Sequence, residues 1–308
     1  MLTAIAFSVI VFQATIIVWL FFQLQNNKGG AEKTKIQSTN TPQSVANFYN
    51  QTTDKFLAVY GEVIQAFRTN NVEDYLDYTA QSMQLSSGMK IIDAGCGVCG
   101  PACHFANQIH DLHIEAITVS SVQCEKSKAN IEGRNLHNQV HVQIADYHRL
   151  NEVFAKNAFD RVYFLESFGH SNSKEQLIKA CYDVLKPGGK LYIKDLFLRE
   201  SNSDWEQQRI NEIAEQINVA YEYQIADLHE VLSTIRKSGF LIEFIRPPQV
   251  DRDKFEHLTI SNEFQNLFNI GKIESWDNYV FPIDFFEILV QKPEFDAAEN
   301  AHLYFMNR

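Results

Sequence analysis

Residues 91–106 read IIDAGCGVCGPACHFA and concentrate groups that could do chemistry. Cys96, Cys99 and Cys103 fall there in a C-x2-C-x3-C spacing, with Asp93, Gly95, Gly97 and Gly100 directly after an apolar run. Two chemistries are open to such a set. The thiols could hold zinc or an iron–sulfur cluster. The glycines could instead form a turn that brings bare backbone against a nucleotide-like ligand, with the amides of the next helix facing it. The metal reading is short of ligands. Cys96 falls in the turn, Cys99 at the helix entry and Cys103 one turn on, and no fourth ligand of the same kind is nearby. His104, next to Cys103, points to a different face of a helix. The expectation is a ligand-binding turn and no metal.

A glycine turn alone has little specificity. Here it runs G-x-G-x-C-G rather than the G-x-G-x-x-G of dinucleotide binders. Ser120 and Ser121 stand where the second strand of such a protein would supply a ribose-binding acid, which weakens a nicotinamide cofactor.

The elements that must position this turn can be read from the alternation around it. A strand at 90–93 precedes it, and a helix from about Ala102 leads to the strand IEAITV. The helix SVQCEKSKANIEGRN then leads to VHVQIAD, and FDRVYFLES is a further strand. SKEQLIKACYDVL reads as a helix stopped by Pro187, Gly188 and Gly189, with KLYIKDLF as a fifth strand. Strands alternating with helices predict an α/β fold with a doubly wound, mostly parallel sheet covered on both faces. Ligands bind such sheets at the carboxyl ends of the strands, where strand order switches. Upstream, apolar residues at helical intervals (Phe48, Phe56, Val59, Tyr60, Val63, Ile64 and Phe67) predict one or two amphipathic helices, with another at 72–85. A helix at 203–221, after strand five, reads as a second part of a cap.

Bulk properties bound the rest. The chain has 308 residues, 45% of them hydrophobic, enough for one large domain with an appendage. A net charge of -11 argues against a nucleic-acid partner. Five cysteines without framework spacing point to a reducing compartment. The run LTAIAFSVIVFQATIIVWLFFQL, residues 2–24, carries no charge and is long enough to cross a bilayer. It lacks the basic start and small-residue cleavage site of a signal peptide. Lys28, Lys33 and Lys35 follow against a single Glu32, which predicts a cytoplasmic body. The expected organisation is a transmembrane helix at 1–25, a flexible linker at 26–44, a helical cap at 45–88, the main domain at 89–293 and a tail at 294–308.

Five segments in order resemble the motifs of class I S-adenosylmethionine-dependent methyltransferases, whose sheet is Rossmann-like. More narrowly they are similar to the sterol, tocopherol and prenyl-diphosphate C-methyltransferase group. MKIIDAGCGVCGPA resembles the first motif and AITVSSVQCEKSKA the second, IADYHRL the third, FDRVYFLESFGHS the fourth and LKPGGKLYIKDLF the fifth. FYNQTTDKFLAVYG resembles the upstream helix that caps the site in that group. The match covers about 48–197 and, more loosely, extends to 291. It departs at Cys99, where the family has glycine.

The resemblance implies S-adenosylmethionine as cofactor. Asp93 and the Gly95–Gly97 backbone would hold its amino-acid end and ribose edge, Thr118 and Gln123 would lie along the ribose, and Asp146 would accept from the adenine amino group. Glu166 would end the fourth strand beside the reacting centre. An alkene acceptor becomes a carbocation on methylation, which a carboxylate can stabilise and deprotonate. Tyr49, Phe56 and Tyr60 could add cation–π stabilisation from the cap, although each taken alone reads as core packing. His170 is the base if oxygen or nitrogen is methylated, and otherwise a loop histidine. The expected function is methylation of a small, largely apolar acceptor at carbon, a prenyl diphosphate or a sterol-like molecule. O- or N-methylation of a small metabolite and a non-catalytic cofactor-binding membrane protein remain alternatives. No DDxxD-like magnesium cluster and no dense Arg/Lys group accompany the motifs to support a diphosphate.

Overall fold

The computed structural model describes residues 40–65, 71–250 and 280–294. The expected membrane span and most of its linker fall outside them. Among the described residues no helix is long and apolar enough to cross a membrane.

Helix α1 (Pro42–Tyr60) starts three residues before the cap expected from Val45. The Thr41 hydroxyl caps it by accepting from the Ser44 amide at 3.1 Å, and Pro42 presets the first helical φ. The linker therefore ends sooner than 44. Helix α2 (Val72–Ser82) follows, capped by Asn71. The alternating part then runs β1 (Lys90–Ala94), α3 (Gly100–Gln108), β2 (His113–Thr118), α4 (Ser121–Gly133) and β3 (Val140–Ile144). It continues through the short α5 (Leu150–Val153), β4 (Phe159–Leu165), α6 (Lys174–Val184) and β5 (Leu185–Leu198). Helices α7 (Asp204–Tyr221) and α8 (Leu228–Lys237) precede β6 (Leu241–Arg246) and β7 (Ile283–Gln291).

The sheet order is β3-β2-β1-β4-β5-β7-β6. Strands β1 to β5 are parallel, and β7 is antiparallel to both of its neighbours. The mostly parallel, Rossmann-like sheet matches expectation, and β6 and β7 complete an edge to which the sequence reading assigned no strands. Pro187, Gly188 and Gly189 do not separate α6 from β5. The strand begins at Leu185 and absorbs them, with Gly188 at φ 77° and a register shift opposite, between Phe159 and Arg161.

Period-two alternation explains why both faces are covered. Ile92 and Ala94 join one core cluster with Phe164, Ile193 and the inner face of α6, while Ile91 joins the other with Tyr163, Tyr192 and Phe105. Each large apolar side chain fully buried this way contributes roughly 1.5–3 kcal/mol. The strand order reverses between β1 and β4, so the crevice beyond their carboxyl ends is the place for a ligand.

Candidate active site

A cavity opens there, beneath α1. Its walls bring together Asp93, Gly95, Gly97, Thr118, Gln123, Asp146, Glu166, His170 and Tyr49. Phe56 and Tyr60 do not reach it. Phe56 is buried and its ring stacks on Tyr60 at 6.1 Å, so helix packing takes both away from the ligand role expected of them.

One half of the cavity is made by backbone. Gly95 has φ 90°, and a Cβ there would sit 2.5 Å from the Ser167 Cβ, so only glycine fits. The Ser167 hydroxyl donates to the Ala94 carbonyl at 2.6 Å, fastening the end of β1 to the loop after β4. Cys99 has φ 61°, the left-handed region. That geometry is why a glycine is expected at its position, and its buried side chain is not part of the cavity wall. Cys96, Cys99 and Cys103 are free thiols, and burial pushes the Cys103 thiol up to about 12.

Asp93 ends β1 almost fully buried, and no ion pair reaches it among the described residues. Burial pushes its carboxyl up to about 7, with the nearby Tyr163 hydroxyl pulling the other way. Such a group is waiting for a cation. Asp146 is arranged differently. Burial pushes it up, but the His148 ring and amide outweigh this and hold it below the usual carboxylate range. Both bind Oδ1, at 2.6 and 2.9 Å, which leaves Oδ2 for an outside donor. Thr118 and Gln123 line the wall, but the Thr118 hydroxyl donates to the Gln123 amide oxygen at 2.7 Å. They shape the wall together rather than offering two free groups along a ribose.

The other half is assembled by side chains from distant elements. Glu166 follows β4 at φ 56°, and its carboxylate forms a buried ion pair with Lys194 of β5. His170 lies one short helical turn later. Its Nδ1–H donates to the Glu222 carbonyl at 2.7 Å, and Nε2 meets the Tyr49 hydroxyl at 2.8 Å. Burial pushes His170 down to about 4, with Lys174 adding to the effect, so the ring is neutral and Nε2 accepts the tyrosine proton. Behind this loop Asp195 accepts from the Phe168 amide at 2.9 Å and from the Tyr223 hydroxyl. Asn50, next to Tyr49 on α1, accepts from the Ser120 hydroxyl at 2.7 Å and so ties the cap to the N-terminus of α4. Helix α7 does not line the cavity as an expected second part of the cap; the residues just after it buttress the loop instead.

Sequence reasoning missed Lys194, Asp195, Asn50, His148 and Tyr223. Adjacent charges inside the apolar strand LYIKDLF were the available signal for the first two, since a buried lysine or aspartate needs a reason. For Asn50 and Tyr223 there was none.

The fit to S-adenosylmethionine rests on charge. Glu62, Asp93, Asp146 and Glu166 line the cavity, and no lysine or arginine lines it among the described residues. Arg134 and Lys194 pair with Glu62 and Glu166, so Asp93 and Asp146 are the carboxylates that match a ligand carrying a sulfonium and an ammonium, and the bare backbone at Gly95 and Gly97 leaves room for the carboxylate beside that ammonium.

Comparison with known proteins agrees. The family model of the mycolic acid cyclopropane synthetases matches residues 46–268. A sterol 24-C-methyltransferase of Gibberella zeae is 25% identical over 236 residues, 71% of this chain and 60% of that protein. The methyltransferase GfsG of Streptomyces halstedii is 31% identical over 124 residues, 40% of this chain and 44% of that one. The chain thus spans about half the length of the curated relatives it matches. Among solved structures the cyclase SpnF superposes with a TM-score of 0.66 at 22% identity, covering 82% of this chain and 96% of that one. The geranyl diphosphate C-methyltransferase of Streptomyces coelicolor gives 0.58 at 16% identity over 82% of this chain and 97% of that one. These superpositions establish the fold. With more than half of its length matched by the family model, the chain belongs to the mycolic acid cyclopropane synthetase family, whose members use S-adenosylmethionine.

Proposed function

We propose that the protein transfers the methyl group of S-adenosylmethionine to a carbon atom of a small, neutral, largely apolar acceptor. The observation that carries this is Glu166, a buried carboxylate on the cavity wall at the end of β4. The cofactor supplies an electrophilic methyl on a sulfonium, and the chain supplies position and charge. Asp93 and the Gly95 turn hold the charged amino-acid end, while Asp146 holds the adenine through Oδ2. Val45, Ile64 and Leu165 give the remaining wall an apolar lining. Glu166 faces the positive charge that an alkene develops as the new carbon–carbon bond forms, and then accepts the proton that restores the double bond.

The absence of lysine and arginine from the described lining favours a sterol-like alkene over a prenyl diphosphate, whose phosphates need cationic partners. Oxygen or nitrogen methylation is the second reading, favoured by the Tyr49–His170 contact of 2.8 Å. It is weaker because both ring nitrogens of His170 are already engaged. Tethering to a membrane by residues 2–24, with the body cytoplasmic, belongs to the same proposal and suits an apolar acceptor. Partition of the full-length chain into the soluble fraction without detergent would overturn it.

The test is labelled donor against a panel of sterols, prenyl diphosphates and quinones, with Glu166→Gln and His170→Ala alongside wild type. Losing a preorganised charge costs on the order of a hundredfold in rate, so Glu166→Gln should be nearly dead with donor affinity unchanged. An active Glu166→Gln beside a dead His170→Ala transfers the assignment to oxygen or nitrogen.

A further inference from the structure

Four charges of alternating sign cross the sheet from the cavity to its edge. Glu166 directly follows Leu165, which pairs with Lys194 on β5, and the Glu166 amide donates to the Lys194 carbonyl at 2.8 Å. Lys194 pairs in register with Glu287 on β7, and Glu287 pairs with Arg246 on β6. Lys194 and Glu287 are fully buried, whereas the Arg246 side chain is 39% exposed. The Lys194 ammonium bonds Glu166, reaches the Gln65 amide oxygen at 3.2 Å and lies over the Tyr75 and Phe285 rings at 5.3 and 5.2 Å. Glu287 in turn accepts from Arg246, from Tyr78 and, at 2.8 Å, from Tyr192.

Burial of such a row is weak evidence for a stabilising role. A well-packed apolar pair is commonly as stable as a buried ion pair, because desolvation offsets the attraction. What the row does provide is a fixed anion at the cavity. A carboxylate buried among aromatic rings, with no cation beside it, takes up a proton. We propose that Lys194 is a positioning residue that keeps Glu166 anionic and fixed toward the acceptor, with Glu287 and Arg246 holding Lys194 in place. Burial pushes the Lys194 ammonium down, and Glu166, Asp195 and Glu287 pull it back up. Among the described residues, the ionisable groups whose titration responds to Glu166 include Tyr49 from α1, Tyr75 from α2, Asp195 from β5 and Tyr223 after α7. The phenols are held neutral by burial, and Asp195 is negative when ionised, so none of them replaces the lysine.

The role in turnover rests on Glu166 being the catalytic carboxylate proposed above, and the experiment separates the two. The protonated-carboxyl infrared band of the full chain is followed against pH in wild type, Lys194→Met, Lys194→Arg and the double variant Lys194→Met/Glu166→Gln. Asp93 contributes a protonated-carboxyl component near pH 7 in every variant; beside it Lys194→Met should show a further component that the double variant lacks, its midpoint about one to three pH units above its wild-type position. Lys194→Arg should return it toward wild type. Turnover of Lys194→Met on the best acceptor of the panel should fall at neutral pH and recover in alkali, while calorimetric affinity for S-adenosylhomocysteine changes less than about threefold, within one hydrogen bond's worth. An unchanged band, or a turnover loss that alkali does not repair, overturns the proposal. If Lys194→Met does not fold, Lys194→Gln, which keeps a hydrogen-bond donor but no charge, should raise the same component's midpoint, and no rise overturns the proposal. A fully active Glu166→Gln removes the role of Glu166 in turnover, and the band still decides whether Lys194 sets its charge.

Discussion

The two halves of the cavity that the proposed function gives to donor and acceptor are built on opposite plans. The donor half comes from short contiguous stretches, and its main constraint is on the backbone, as at Gly95, where φ is 90° and a side chain would strike Ser167. The acceptor half is held by side chains far apart in sequence: Tyr49 meets His170 and Glu166 meets Lys194. A backbone-made site tolerates no added atom. A side-chain-made site loses its properties bond by bond.

The largest effect that tests this contrast is Gly95→Val. The left-handed φ and the 2.5 Å approach to Ser167 leave no space for Cβ, so calorimetry should find no donor binding at all. Measurable affinity in that variant breaks the contrast at its strongest point. Asp93→Asn comes next. Burial pushes the Asp93 carboxyl up to about 7, above the ordinary value of about 3.9, so the folded state holds a proton that the unfolded chain releases. Its contribution to stability is therefore present below pH ~4 and is lost as pH rises to about 7. Asparagine should remove that slope from the melting curve and weaken the donor tenfold or more, since hydrogen bonds to charged groups are worth about 1.5–3 kcal/mol.

Tyr49→Phe should be milder. It removes one hydrogen bond worth about 1 kcal/mol, so turnover should fall roughly fivefold while donor affinity stays put. Equal losses in both would mean that the halves are not separate. The smallest effect concerns Cys99. At φ 61° glycine is the relaxed residue, and an L-residue costs about 1–2 kcal/mol, so Cys99→Gly should unfold at higher denaturant than Cys99→Ala. That reverses the order of these two residues in helix interiors.

The same contrast governs what could be read from the sequence. The turn after β1 and the parallel strands announce themselves because glycine spacing and apolar alternation are local properties, whereas Asp146 is singled out only by the resemblance. Glu166 and His170 were visible as residues but not as partners: the Lys194 ammonium and the Glu222 carbonyl lie 28 and 52 positions away. Strands β6 and β7 were missed for a related reason. β7 finds its partners across a sheet edge, and a strand is recognised by what it pairs with as much as by its own pattern. Phe56 and Tyr60 take the packing role that each suggests when read alone, since aromatic residues at helical spacing can pack without any ligand.

Tyr49 and Asn50, adjacent on α1, grip opposite banks of the cavity. Tyr49 reaches the loop after β4, and Asn50 reaches the Ser120 and Ser121 hydroxyls and the Val122 amide at the start of α4. Neighbouring positions on a helix point about 100° apart, so the two contacts cannot be exchanged for one another by rolling α1. A displacement of α1 away from the cavity would therefore have to break both contacts at once, and it would expose both banks together.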